Sequence, residues 1–314
     1  MKRVALFYGI AFVLVAATVS CGHEVFSSAN EDGGSDASMT DAPSSDAVAI
    51  GDGHGSDGPV DARFDSSAAD ASVIDAGPAL PDIAHCVFWV RADRGVTVSG
   101  SSVMAWTDQS PGSDSTHTLS PLTAGVPPSF TPSDPSFNGK PTVTFYGHST
   151  TPNTGSVMRS ATWSAAPTQP LTVYVVALSA LSPANDTGYL FDGIDTTERM
   201  RMWIDTSAGL QANAGVLLAH SASQGATPFV ASTVFNHATS DLYINQLTAL
   251  SPTPGNVGDL YLNGITVGGT YNGTTTMQGQ LAELIFYAGV HDAAMRAQVM
   301  QGYLGPRYGI AISP

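Results

Sequence analysis

A single break in texture near residue 83 limits what this chain can fold into more than any motif does. From Gly22 to Asp82 the chain is built of Asp, Ala, Ser, Gly and Pro with almost no aromatic residues. That stretch carries 13 acidic residues and one basic residue, Arg63, for a net charge of −12. Low hydrophobicity with high like charge cannot offset the entropy of ordering, so residues 22–82 are expected to stay disordered. Asp-Ala recurs at Asp36, Asp41, Asp46, Asp61, Asp70 and Asp75, but no unit has an apolar face that could stack as a solenoid. A flexible coil of this length spans roughly 40–45 Å, and like-charge repulsion extends it, which predicts a spacer. With Lys2 and Arg3 counted, the total of −15 leaves −5 for residues 83–314, so the acidity belongs mainly to the tether.

Two motifs in the tether are coincidences. Gly53-His54-Gly55-Ser56-Asp57-Gly58 spells a dinucleotide fingerprint, yet it follows no strand, opens no helix and is ringed by aspartates that repel a pyrophosphate. Asp52 to Asp57 suggests a calcium loop, but its twelfth position is Arg63, where a bidentate glutamate is needed.

Ahead of the tether, Lys2 and Arg3 precede an uncharged run from Val4 to Ser20, the pattern of a secretory signal peptide over residues 1–20. Seventeen residues interrupted by Tyr8, Gly9, Thr18 and Ser20 are marginal for spanning a bilayer, which leaves a retained transmembrane anchor as the alternative. The run closes on Thr18-Val19-Ser20-Cys21, which resembles the lipobox of bacterial lipoproteins, with Thr18 in place of the usual leucine. The resemblance implies acylation of Cys21 and a lipid-anchored chain at the cell envelope, outer membrane or cell surface, starting at residue 21. The rival reading is cleavage after Ala17, which leaves Cys21 an ordinary thiol. If Cys21 is acylated, the second cysteine, Cys86, has no partner, and its apolar surroundings (His85-Cys86-Val87-Phe88-Trp89-Val90) predict a small buried hydrophobe.

From Ile83 onward, short apolar stretches alternate with Gly, Pro, Asn and Asp. Strands are expected at 86–91, 102–107, 142–146, 171–178, 189–192, 199–204, 216–219, 229–235, 241–244, 259–262 and 280–287. Many short strands with little helix predict an all-β fold, an antiparallel β-sandwich of the jelly-roll type over residues 83–314. One C-terminal helix is expected, capped by Asp292, with Met295, Val299 and Tyr303 on one face and Gly305-Pro306 as its stop.

Several blocks of this region are similar to laminin-G-like domains of the concanavalin A-like lectin/glucanase superfamily. They are Phe88–Asp93, Val103–Ser110, Asn138–Phe145, Leu260–Gly264 and Gly279–Tyr287, in the family's order. Signal, lipobox and Asp-Ala tether together also look like surface lipoproteins of myxobacteria. The resemblance implies a concanavalin A-like fold and leaves function open, because the blocks are core strands and turns.

Some relatives with this fold are glycoside hydrolases. Retaining enzymes hold two carboxylates about 5–5.5 Å apart, which alternate positions of one strand can supply. The only glutamates after residue 82 are Glu198 and Glu283, and neither has an acidic neighbour two positions away. Glu283 is expected to fix a loop or face solvent. Asp192, Asp195 and Glu198 are spaced by three, as in a turn, and are the candidates for a calcium ion, the one cofactor considered; none is required. No His-x-His or His-Glu-x-x-His pair offers a zinc site, and no Gly-x-Ser-x-Gly elbow is present. The −5 charge and lack of a basic run argue against nucleic acid as a partner. Trp203, beside Arg199 and Arg201, and Tyr271, in a Gly-rich loop, are the candidate ligand-binding aromatics. Sequence alone therefore favours a surface-anchored, non-catalytic recognition module for glycan or a cell-surface protein, and not an enzyme. The alternatives are a structural or adhesive coat component and a cryptic glycoside hydrolase.

Overall fold

A computed structural model describes residues 78–122, 125–147, 155–180, 187–207, 209–220 and 226–314. The signal segment, Cys21 and nearly all of the tether lie outside the described residues. No helix among the described residues is long and apolar enough to cross a membrane.

The fold is mostly β, in two antiparallel sheets. The larger runs in the order Asp241–Ile244, Phe229–Phe235, Leu171–Ser179, Gly279–Ala288, Lys140–Phe145, Ser129–Asp134, Ser102–Trp106 and Val96–Ser99, with Cys86–Arg91 also paired to Gly279–Ala288. The smaller runs Leu217–His220, Gly209–Asn213, Arg201–Asp205, Thr187–Asp192, Thr266–Val267, Met158–Arg159 and Ser120–Pro121. Phe88, Val175 and Phe286 from the first sheet pack with Phe191, Met202 and Val267 from the second in one apolar core. Leu171–Ser179 is buried along nearly its whole length, because its other face is covered by the C-terminal helical segment.

Strands 86–91, 229–235 and 241–244 fall as expected. The segment 259–262 does not form a strand. Gln169 Nε2 donates to the carbonyls of Gly258 and Leu260, and the Leu260 amide donates to the Ala214 carbonyl, so a side chain replaces a ladder there. Sequence also missed Val96–Ser99, Ser120–Pro121, Ser129–Asp134, Met158–Arg159, Gly209–Asn213 and Thr266–Val267. Most of these are too short or too polar to show a period.

The helical segment starts where expected, with the Asp292 carboxylate accepting from the Met295 amide at 2.8 Å. It does not end at Gly305-Pro306. An α-turn over Ala293–Ala297 widens to a π-helix over Gln298–Leu304, and α-helix resumes over Gly305–Tyr308. Pro306 enters at the start of that last turn, where its missing N–H is tolerated, and Gly309 ends the helix in the left-handed region at φ 68°. Val299, Tyr303, Leu304 and Tyr308 pack on Trp89, Tyr174, Ile285 and Tyr287 of the larger sheet. Packing begins slightly before residue 83, since Leu80 is buried in that cluster and the Tyr287 hydroxyl donates to the Pro81 carbonyl.

Glu283 neither fixes a loop nor faces solvent. A bulge between Leu281 and Glu283 turns Glu283 to the helix side, where it is fully buried. Its carboxylate accepts from Trp89 Nε1 at 2.6 Å, Tyr303 Oη at 2.9 Å and Tyr308 Oη at 2.8 Å. Arg307 Nε lies 3.9 Å away. Burial raises the Glu283 pKa against these donors and the nearby arginines. Cys86 is a buried free thiol whose pKa burial pushes far up, as expected for a structural cysteine.

Candidate functional site

The face of the smaller sheet that points away from the core carries the arrangement most suited to a ligand. Phe191, Met202, Ala212 and Val267 face the core, and period-two alternation turns Asp192, Trp203, Gln211 and Thr266 outward; a register shift between Met202 and Trp203 leaves Leu190 in the core beside Phe191. Ser120 pairs with Arg159, Arg159 with Thr266, and Thr266 with Asp192, so four polar residues form one row across four strands. A second row runs Tyr189, Trp203, Gln211 and Ala219.

Asp192 anchors the first row with no exposed surface. It accepts from Arg199 Nε at 2.7 Å and Nη2 at 2.6 Å, and from the amides of Gly193 and Tyr271. The carboxylate in turn raises the Arg199 pKa. A bidentate pair of this kind fixes both side chains in one plane. The Arg199 guanidinium then lies 4.8 Å from the Tyr271 ring, which ties the Gly-rich loop to the sheet.

Trp203 is only 7% exposed. Its ring stacks on Tyr189 at 5.4 Å and carries the Arg201 guanidinium at 4.9 Å. It therefore supports Tyr189 and Arg201 as a platform. Arg201 Nε is buried and has no hydrogen-bond partner among the described residues.

The three acidic candidates are brought to one margin of this sheet but serve different neighbours. Asp195 Oδ1 accepts from the Thr197 amide, the Thr197 hydroxyl and the Glu198 amide, and Oδ2 accepts from Asn263 Nδ2. These donors, Asn263 first, pull the Asp195 pKa down to about 2. Glu198 hydrogen-bonds the Tyr261 hydroxyl and raises that phenol's pKa. Among the described residues no group of three or more His, Cys, Asp or Glu could hold a metal ion.

Sequence reasoning missed Arg159 and the hydroxyls beside it. Ser115, Thr118, Ser120, Pro121, Leu122, Arg159, Ser160 and Ala161 line an open groove of about 570 Å³ at the edge of the smaller sheet. Asp114, next to Ser115, is held ionised near a pKa of about 2 by Thr116 and Ser164. Two-residue strands gave no signal that could have pointed to this groove.

No family model matches the chain, and no curated protein does. Among solved structures it is similar to Trypanosoma rangeli sialidase in complex with sialic acid, at 11% identity over 73% of this chain and 34% of that one, TM-score 0.49. An arabinofuranosidase complexed with arabinofuranosyl-α-1,2-xylobiose matches at 11% identity over 67% of this chain and 52% of that one, TM-score 0.49. The carbohydrate-binding module CBM40 of a Ruminococcus gnavus IT-sialidase, bound to α2,3 sialyllactose, matches at 12% identity over 41% and 79%, TM-score 0.32. The chain spans about a third of the sialidase and about half of the arabinofuranosidase. At these scores the likeness carries no argument about substrate or mechanism. The sequence expectation of a non-catalytic module that is not an enzyme is corrected: the solved structures found similar include glycosidases as well as a carbohydrate-binding module.

Proposed function

We propose that this chain is a carbohydrate-active protein that engages saccharide on the outer face and edge groove of its smaller sheet. The observation that carries this is the groove itself. Hydroxyls of Ser115, Thr118 and Ser120 and one guanidinium, Arg159, line a shallow space beside a sheet face bearing Tyr189 and Tyr271. Hydroxyl groups donate and accept in turn, which suits a polyhydroxyl ligand, and aromatic rings offer apolar faces to sugar C–H groups. In this reading Trp203 sets the height of Tyr189 and Arg201, and Tyr271 is placed by Asp192. The fold is a jelly roll of the laminin-G-like, concanavalin A-like type. The anchor is the acylated Cys21, with residues 22–82 holding the domain away from the envelope surface; sequence alone supports that part.

Glycoside hydrolysis is the form of this activity taken forward. Hydrolysis needs an ionised carboxylate beside the scissile bond as well as an acid. Asp114, ionised and adjacent in sequence to the groove-lining Ser115, is the carboxylate proposed for the first role. The test is to incubate the full chain with a panel of plant, bacterial and animal polysaccharides and to measure both retention and reducing ends released. Release that disappears in Asp114→Asn supports hydrolysis there. Retention without release removes the hydrolase form, and neither retention nor release removes carbohydrate as the ligand class.

A further inference from the structure

The outer face of the smaller sheet holds three arginines, and their partners differ. Arg199 is held by Asp192 through two nitrogens, Nε and Nη2. Arg201 rests on Trp203. Arg159 makes one hydrogen bond among the described residues, from Nε to Thr266 Oγ1 at 3.3 Å. The charge that supports it is Asp192, which already accepts from Arg199 and two backbone amides. Burial lowers the Arg159 pKa against that single offset. The chain thus keeps a partly desolvated guanidinium, its terminal nitrogens without a hydrogen-bond partner among the described residues, at the wall of a groove lined by hydroxyls.

We propose that the groove beside Arg159 receives the carboxylate of an acidic saccharide, so that the ligand class is a uronate-type glycan and Arg159 its charge-reading residue. This deepens the carbohydrate reading above and rests on it. The planar fork of a guanidinium matches a carboxylate through two parallel hydrogen bonds, a fit that a lysine ammonium lacks. A single fork suits one planar monoanion. A phosphate calls for several cations, and residues 83–314 carry a net −5 that opposes dense negative charge. Ser120, paired directly with Arg159 across the strands, stands where a hydroxyl next to that carboxylate would find a partner.

The test is titration calorimetry of the full chain with trigalacturonate, its methyl ester, and a neutral galactose trimer. Galacturonate stands in for the class, and its ester removes the charge while keeping the shape. The expected result is that the acid binds about 10–100-fold more tightly than the ester or the neutral trimer, the span of a charge-assisted hydrogen-bonded pair. Arg159→Gln should abolish that preference, and Arg159→Lys should restore only part of it, with thermal unfolding of both variants near that of the parent. Equal binding of acid, ester and neutral trimer overturns the carboxylate role and leaves carbohydrate binding standing. Acid preference that survives Arg159→Gln overturns Arg159 as its reader. Binding of none of the three overturns the uronate assignment, while the polysaccharide panel separately decides whether carbohydrate is the ligand class at all.

Discussion

The two sheets each hold a fully buried carboxylate on the face away from the core, and the contrast between them separates structure from function. Glu283 lies beneath the C-terminal helix and is met by one indole and two phenol donors, with Arg307 at 3.9 Å. Asp192 lies on the open sheet and is met by a bidentate arginine and two backbone amides. At Glu283 the neutral donors and the more distant arginines oppose desolvation without overcoming it, so burial raises its pKa. The arginine at Asp192 keeps that carboxylate paired, and it passes the order on to Tyr271 through ring contact. A sealed polar knot locks a helix to a sheet. An ion pair at an open face can instead hold a loop in place for a ligand.

The largest effect that could break this contrast is at Glu283. Glu283→Ala strands three buried donors and should cost about 3–5 kcal/mol in urea unfolding. Glu283→Gln keeps an acceptor and should cost much less. The pH dependence has a definite sign. A folded pKa raised above 4.5 means the native state holds the proton more tightly than the unfolded chain. The Glu283 contribution to stability is therefore full below pH 4.5 and declines as pH rises toward the folded pKa. Urea midpoints taken across that window should slope downward in the parent and lose that component in Glu283→Gln; an unchanged slope would assign it to other groups.

A smaller effect is expected at the open face. Asp192→Asn should cost about 2–3 kcal/mol by removing a charge-assisted bidentate pair. Its more telling readout is hydrogen exchange, in which the Tyr271 amide should lose protection while the amides of 171–179 keep theirs. Loss of protection in both sheets would mean that Asp192 supports the whole fold and not the loop alone. The smallest effect concerns the start of the helical clasp. Asp292→Ala removes the cap on the Met295 amide and should cost about 1 kcal/mol, read as a shift of the thermal midpoint.

Much of the larger sheet is legible in the order of residues; in the smaller sheet Thr187–Asp192, Arg201–Asp205 and Leu217–His220 are too, but the two-residue strands and Gly209–Asn213 are not. Leu171–Ser179 and Phe229–Phe235 are long apolar runs whose strand character follows from local composition. Asp292 announced the helix start by its position alone. Arg159 and Ser120 sit in two-residue strands, which become strands only because their neighbours in space supply the hydrogen bonds. Arg201 and Trp203 share a strand face by period two, but no local pattern predicts that Arg199 covers Tyr271.

The sequence by itself determined where a core could form, because hydrophobicity and charge are summed along the chain and the short apolar runs begin near residue 83. It also determined the all-β character, since period and turn chemistry are local. The tertiary structure alone decided that Glu283 is sealed under a helix and that Arg159, Thr266 and Asp192 share one row. Those outcomes depend on a one-residue bulge and on strand register, which join residues as many as 107 positions apart through pairings that no local pattern records.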